Sequence, residues 1–261
     1  MQETVKEILI SIDEAGLTKT FYSLPSIISM FFAFPLFIWL SHKMNIGRLR
    51  AFWAMTLFVA MYFGCVLFVG WVEASLGLGN YGRKNGITVY IWLPLICYIT
   101  AKILKIEYGT LCTVTSPISL FIQGILHIGC LFSGCCKGFE CAWGVYNVST
   151  GDFRFPMPIV EGGWKIVFSI VLLYILKRRG YKPANWLYPL MIFVLGVVTF
   201  ISEFYVDNDK IVGNLSLRSF HSMSLIIVGG LWLLVLYRSR MKILEKKNRF
   251  RKKDIQKKSL Y

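Results

Sequence analysis

Charge is scarce in this sequence. Only 16% of its 261 residues are Asp, Glu, Lys or Arg, against about 25% in a soluble domain. Acid is scarcer than base, 14 residues against 29, for a net charge of +15. Little charge combined with 56% hydrophobic and 16% aromatic residues excludes an ordinary soluble enzyme. It also excludes a disordered nucleic-acid binder, which needs low hydrophobicity. Histidine occurs three times, and the seven cysteines contain no C-x-x-C pair, the spacing that redox dithiols favour. No basic stretch precedes the first apolar run, so a cleaved signal peptide is not expected. Neither an internal repeat nor a low-complexity linker is visible.

What the chain has instead is long apolar runs: Phe21 to Leu40, Phe52 to Val72, Ile87 to Ala101, Thr115 to Phe132, Ile159 to Leu176, Trp186 to Ile201 and Ser222 to Tyr237. Their continuity excludes a membrane barrel, whose strands alternate in short segments. The expected fold is all-α, a polytopic membrane protein with a seven-transmembrane-helix bundle forming one domain over 1–245, followed by a basic tail over 246–261. Lys and Arg gather in cytoplasmic loops. The first segment carries Glu3, Glu7, Asp13 and Glu14, whereas the loop after the first run holds Lys43, Arg48 and Arg50 without acid. Lys177, Arg178, Arg179 and Lys182 follow the fifth run. This pattern places the N-terminus outside and the C-terminus in the cytoplasm. Eleven bases against two acids after Tyr237 account for +9 of the +15. That weakens a nucleic-acid reading and points the tail, expected to fray beyond Lys246, at the anionic inner leaflet, with about 1 kcal/mol for each base near the surface.

On this topology residues His127 to Glu161 reach the outer face. The segment holds Gly129, Gly134 and Gly138, four cysteines, Trp143-Gly144-Val145 and Pro156-Met157-Pro158. Glycines at that spacing suit a loop whose backbone N–H groups cradle an anionic head group; close helix packing explains them equally well. Cys130, Cys135, Cys136 and Cys141 share a face where disulfides persist, and a bridge from Cys135 or Cys136 to Cys141 is open. Zinc would need four ligands at compatible spacing, and only His127 is at hand, so no metal site is expected. Cys65, Cys97 and Cys112 read as small apolar packing residues.

The string from His127 to Val145 resembles the signature of the bacterial prolipoprotein diacylglyceryl transferases, Gly-Arg-x-Gly-Asn-Phe followed by Asn-Gly, Tyr-Gly and Trp-Gly-Val. Gly129, Gly134, Gly138 and Trp143-Gly144-Val145 fall in place. Arg154, Pro156 and Glu161 match the family's Arg-His-Pro-Thr-Gln-Leu-Tyr-Glu. Glu203-Phe204 resembles its Glu-Phe, and Leu215-Ser216 with Ser222 resembles its later serines. The resemblance runs from the third span onward and is strongest over His127 to Glu161. His127 stands where the family has arginine, Cys130 where it has asparagine, and Val206 where an arginine often follows the Glu-Phe. No His-Gly-Gly occurs near Tyr81 to Gly86.

The resemblance implies a multi-pass enzyme of the bacterial plasma membrane that needs no cofactor. It would move diacylglycerol from phosphatidylglycerol to the cysteine thiol of lipoprotein precursors, engaging their signal peptides and membrane lipids. Such a transfer asks for a cation on the phosphate, best met by Arg154, with Lys137, Arg83 and Arg218 as possible assistants. It asks for a base, because a thiol with pKa about 8.5 is only a few per cent ionised at neutral pH; His127 is the first candidate and His221 the second. Glu161 and Glu203, near span ends, are either solvated caps or the carboxylates that hold Arg154 or His127 in place. Trp143, Tyr146 and Asn147 would line the head-group pocket, or simply anchor at the interface. Two alternatives stay open: an altered transferase-like protein that binds lipid or serves as an accessory, and an exofacial thiol oxidoreductase.

Overall fold

The protein is described by a computed structural model over residues 2–77, 89–134, 136–206, 210–212 and 215–258. Each of the seven apolar runs becomes a helix. They are α2 (Thr18–Lys43), α3 (Arg48–Ser75), α4 (Val89–Leu104), α5 (Tyr108–Ser133), α6 (Met157–Arg178), α7 (Leu187–Ser202) and α8 (Leu217–Lys258), preceded by α1 (Gln2–Glu14). Six of them are long and apolar enough to cross a membrane. The exception is α4: its 16 residues reach about 24 Å, short of a hydrocarbon core of about 30 Å.

Two features differ from the sequence reading. The acidic N-terminal segment is itself a helix, α1, because Val5, Ile8, Leu9 and Ile12 recur at helical spacing among its charges. The tail does not fray at Lys246. The backbone of α8 stays helical to Lys258, 42 residues in all and about 63 Å long, roughly twice the depth of the hydrocarbon core.

Between α5 and α6 the chain forms a hairpin of β1 (Glu140–Asn147) and β2 (Asp152–Arg154). They pair antiparallel with Tyr146 opposite Phe153 and Asn147 opposite Asp152. A second short pair, β3 (Lys210–Val212) with β4 (Leu215–Ser216), precedes α8. Gly138 bridges to Val206, and the Phe139 amide donates to the Tyr205 carbonyl at 3.2 Å, so the hairpin leans on the end of α7. The Gln2 side chain donates to the Ala142 and Gly144 carbonyls at 2.9 and 2.8 Å, which brings α1 to the same end of the bundle. The basic turns after α2 and α6 meet at the opposite end, where Trp39 packs edge-on against Tyr181 at 5.7 Å.

Small residues set two of the helix crossings. A Cβ on Gly124 of α5 would lie 2.9 Å from the Gly162 carbonyl oxygen, and one on Gly162 of α6 would lie 2.6 Å from that of Gly124. Only glycine permits this approach. Gly196 of α7 sits as closely on the Ser222 backbone of α8. Cross-helix polar contacts fix the register: Ser169 donates to the Pro117 carbonyl at 2.7 Å, and the Tyr188 hydroxyl donates to the Tyr90 carbonyl at the same distance. The core runs through Phe37, Leu40, Leu111, Leu120, Leu172 and Leu195.

Candidate functional site

At the hairpin end, five charged or titratable side chains converge from four elements. Pro156 and Pro158 open α6, as proline does in a first helical turn, and one turn later Glu161 points into the bundle, fully buried. Lys165 follows four residues on, on the same face, and is also fully buried. The Gly124–Gly162 crossing carries His127 of α5 across to them, with His127 Nε2 2.7 Å from Glu161 Oε2. Lys165 Nζ lies 3.5 Å from Glu161 Oε2 and 3.2 Å from His127 Nδ1. The 3₁₀ turn Glu203–Tyr205, which continues α7, supplies Glu203, and the start of α8 supplies Arg218.

Arg218 is the hub. Its Nη2 donates to Glu161 Oε2, and its Nη1 lies 3.0 Å from Glu203 Oε1. Ser216 Oγ donates to the other oxygen, Glu203 Oε2. Two carboxylates therefore face two cations and one imidazole. A single charged group at membrane depth costs about 2.5–3.5 kcal/mol on insertion scales, so such groups face an interior and have a use. Glu161 Oε1 is buried without a hydrogen-bond partner among the described residues, which leaves one acceptor position in the cluster unfilled.

The hairpin forms a second group beside the first. Gly134 ends α5 in the left-handed conformation (φ 63°), as a helix-terminal glycine does. A Cβ there would lie 2.6 Å from Asn147 Oδ1 and 2.7 Å from Ser149 Oγ. Asn147 and Ser149 in turn donate to the Gly134 carbonyl. Arg154 lies along Asp152, its Nε 2.9 Å from Oδ1 and its Nη2 2.9 Å from Oδ2, and its Nη1 donates to the Gly138 carbonyl at 3.3 Å. Hydrogen bonds from Arg154 and Thr150 hold the Asp152 carboxyl below its ordinary value. Lys6 of α1 sits over the Tyr146 and Phe153 rings at 5.6 and 5.8 Å, and Trp143, exposed, packs edge-on against Phe155.

Cys136 joins the two groups. Its sulfur is 3.7 Å from His127 Nε2, and with Cys130, Gly138, Tyr146, Asn147 and Arg154 it lines a small pocket. One turn before His127 on α5, Gln123 opens onto an apolar cavity of ≈ 60 Å³ among α2, α3, α4 and α5, lined by residues such as Met30, Phe37, Phe58 and Tyr90.

Of the residues read from the sequence, His127, Glu161 and Glu203 meet in the cluster. Gly138, Tyr146, Asn147 and Arg154 meet around the pocket, and the Gly134 carbonyl accepts from Asn147 beside it. Gly129 lies against the Tyr22 backbone and Pro25 of α2, a packing position. Lys137 is half-buried in the turn before β1, and His221 is half-buried three residues beyond Arg218 on α8. Glu161 and Glu203 are buried ion-pair partners, not solvated caps. Arg218, read only as an assistant, is central. Arg83 and Cys135 lie outside the described residues, and Cys136 and Cys141 are not bridged. Lys165 and Asp152 went unread. Lys165 had a signal, a charge four residues after Glu161 inside an apolar run; Asp152 shows its role only once the hairpin is paired. His127, Cys130 and Cys136 bring ligand-type atoms within 4.8 Å of one another. Both His127 ring nitrogens already face polar side chains, Lys165 on Nδ1 and Glu161 on Nε2.

Apolar membrane-length helices around a buried ion-pair cluster, with a polar hairpin over one end, define an integral membrane protein whose site lies inside the bundle near one end. The family model described as prolipoprotein diacylglyceryl transferase matches residues 9–236, and the chain belongs to that family. It is thus a multi-pass membrane protein of a transferase family. The match takes in the first two spans as well, which the motif resemblance did not reach. None of the curated proteins compared matches the chain.

Proposed function

We propose that this chain transfers diacylglycerol from phosphatidylglycerol to the cysteine thiol of lipoprotein precursors, held by their signal peptides, at the outer face of a bacterial plasma membrane. On this reading seven helices cross the bilayer, with the N-terminus outside and the C-terminus in the cytoplasm. The observation that carries it is the buried His127–Glu161–Lys165–Arg218–Glu203 cluster, at the same end of the bundle as the hairpin that holds Arg154.

The acceptor sulfur attacks the glycerol carbon bonded to phosphate. A C–S bond forms, the C–O bond breaks, and its electron pair leaves on glycerol phosphate, which also takes up the proton lost by the thiol. Arg154 supplies a planar cation for the phosphate, and the pocket of Gly138, Tyr146 and Asn147 supplies the surrounding surface. Gly134 keeps the hairpin close to the end of α5. The apolar cavity beside Gln123 offers apolar walls for the first carbons of an acyl chain to lie against. His127 meets the acceptor thiol through Nε2, the nitrogen that already faces the Cys136 sulfur. Glu161, Glu203 and Arg218 hold the site together. Lys137 and His221 stand as secondary contacts to the lipid and Trp143 as an interfacial anchor. The reaction asks for no cofactor and no metal.

The pairing of Arg154 with Asp152 favours a second reading, a transferase-like protein that binds lipid without turning it over. Purified protein in phosphatidylglycerol vesicles, mixed with a lipobox peptide, separates the two by peptide mass. The proposed transfer gives a diacylglyceryl thioether, and Arg154→Ala abolishes it. Lipid binding with no adduct in the wild type leaves only the second reading.

A further inference from the structure

We infer that Lys165 Nζ and His127 Nδ1 hold a single proton between them, so that His127 presents Nε2–H as a fixed donor and Lys165 is the positioning residue that fixes it. The functional arm rests on the transfer proposed above; the chemical arm does not.

The contacts leave few arrangements. An ammonium has three donors and no acceptor, while a neutral imidazole has one nitrogen of each kind. Lys165 Nζ and His127 Nδ1 are 3.2 Å apart, so one hydrogen lies between them. The other ring nitrogen faces the Glu161 carboxylate at 2.7 Å, and two acceptors at that distance need a hydrogen as well. Both a charged lysine beside a neutral histidine and a neutral lysine beside a charged histidine meet these conditions. They differ only in which side of the Nζ–Nδ1 contact keeps the proton, and both leave Nε2 protonated.

Charge balance selects the same count. With one proton shared, the Lys165–His127 pair carries one positive charge and Arg218 a second, against one negative charge each on Glu161 and Glu203. The buried cluster is then neutral. A further proton on the pair would turn two donors against each other across 3.2 Å and leave a net charge in a site where Lys165 and Glu161 are fully buried, a costly state. One proton fewer would keep both contacts, with a neutral lysine amine donating to Nδ1, but would leave the buried cluster with a net negative charge, again a costly state.

His127 is therefore not the resting base that its residue type suggests. Through Nε2–H it donates to an anionic partner: Glu161 at rest, and the acceptor thiolate or a phosphate oxygen during transfer. Lys165 touches neither substrate and acts by denying His127 the opposite tautomer.

Full-length protein labelled with ¹⁵N-histidine in lipid nanodiscs reads this directly. The chain has three histidines, and the His127→Gln spectrum identifies the ring in question. The wild type is expected to show His127 Nε2 protonated and Nδ1 shifted by a hydrogen bond. Lys165→Arg, which keeps a donor, should preserve Nε2–H, whereas Lys165→Met should release the ring into a tautomer mixture. A wild-type spectrum with bare Nε2, or an unchanged ring in a folded Lys165→Met protein, overturns the inference. If Lys165→Met does not fold, the wild-type and Lys165→Arg spectra decide alone. In the peptide assay Lys165→Met should lower kcat about tenfold with KM for lipid unchanged, the rate equivalent of one net hydrogen bond. A correct ring spectrum in a protein without transfer overturns the proposed function and leaves this inference standing.

Discussion

A guanidinium gripped by a carboxylate two residues away has a fixed aim. Arg154 is held in this way by Asp152, which sets its planar face toward the pocket shared with Gly138, Tyr146 and Asn147. Because the Asp152 carboxyl lies below its ordinary value in the folded hairpin, its contribution is fully present above the unfolded carboxyl value of about 3.9 and is lost as pH falls through the lower folded value. Protection of the β1–β2 amides, taken relative to exchange of the unfolded chain at each pH, should thus hold down to about pH 4 and fall below it, and Asp152→Asn should remove that acid step. An acid step of the same size in the variant would separate Asp152 from the opening of the hairpin. At this same scale the sequence was partly legible. His127, Arg154, Glu161 and Glu203 could be picked out because ionisable residues near apolar span ends are rare enough to mark use. Their partners could not, since whether Glu161 takes His127 or Arg154 is decided by a helix crossing that no local pattern encodes.

That crossing belongs to the scale of elements. The helices themselves were readable from continuous apolar runs. The limit was α1, where alternating charges masked a helical apolar stripe; α4, a helix of 16 residues, is about as long as the run read for it. The glycines read from the sequence were Gly129, Gly134 and Gly138, of which Gly129 packs on α2; the closest crossings use others, Gly124 on Gly162 and Gly196 on the Ser222 backbone. If the Gly124–Gly162 contact is what brings His127 to Glu161, a large side chain there should separate them. Gly162→Leu is expected to destabilise the bundle by about 1–3 kcal/mol through overpacking and to remove transfer even where the protein stays folded. The distance between spin labels placed near the hairpin ends of α5 and α6, away from both glycines, compared with and without Gly162→Leu, reports the separation; an unchanged distance would show that the glycine contact does not set it.

For the whole molecule, charge asymmetry and burial converge. The acidic helix α1, the hairpin and the buried cluster share one end, while the basic turns after α2 and α6 meet at the other. The Lys and Arg bias, which acts on insertion and is written in loop composition alone, predicts the first end outside and the second inside. A site at the hairpin end would then meet exported precursors directly, with the long basic helix α8 projecting toward the inner leaflet. What composition could not supply is the depth of the site. Lys165 sits inside a membrane-length helix and is fully buried, so the cluster reaches into the bundle, toward the apolar cavity.

The most direct measurement is lipoprotein maturation in bacterial cells depleted of their own diacylglyceryl transferase and supplied with this chain. The expected result is renewed growth with a diacylglyceryl adduct on the precursor cysteine by mass spectrometry, lost in Arg154→Ala and His127→Ala. Unmodified precursor in cells where the wild-type chain is present in the membrane, or full maturation with both variants, would contradict it.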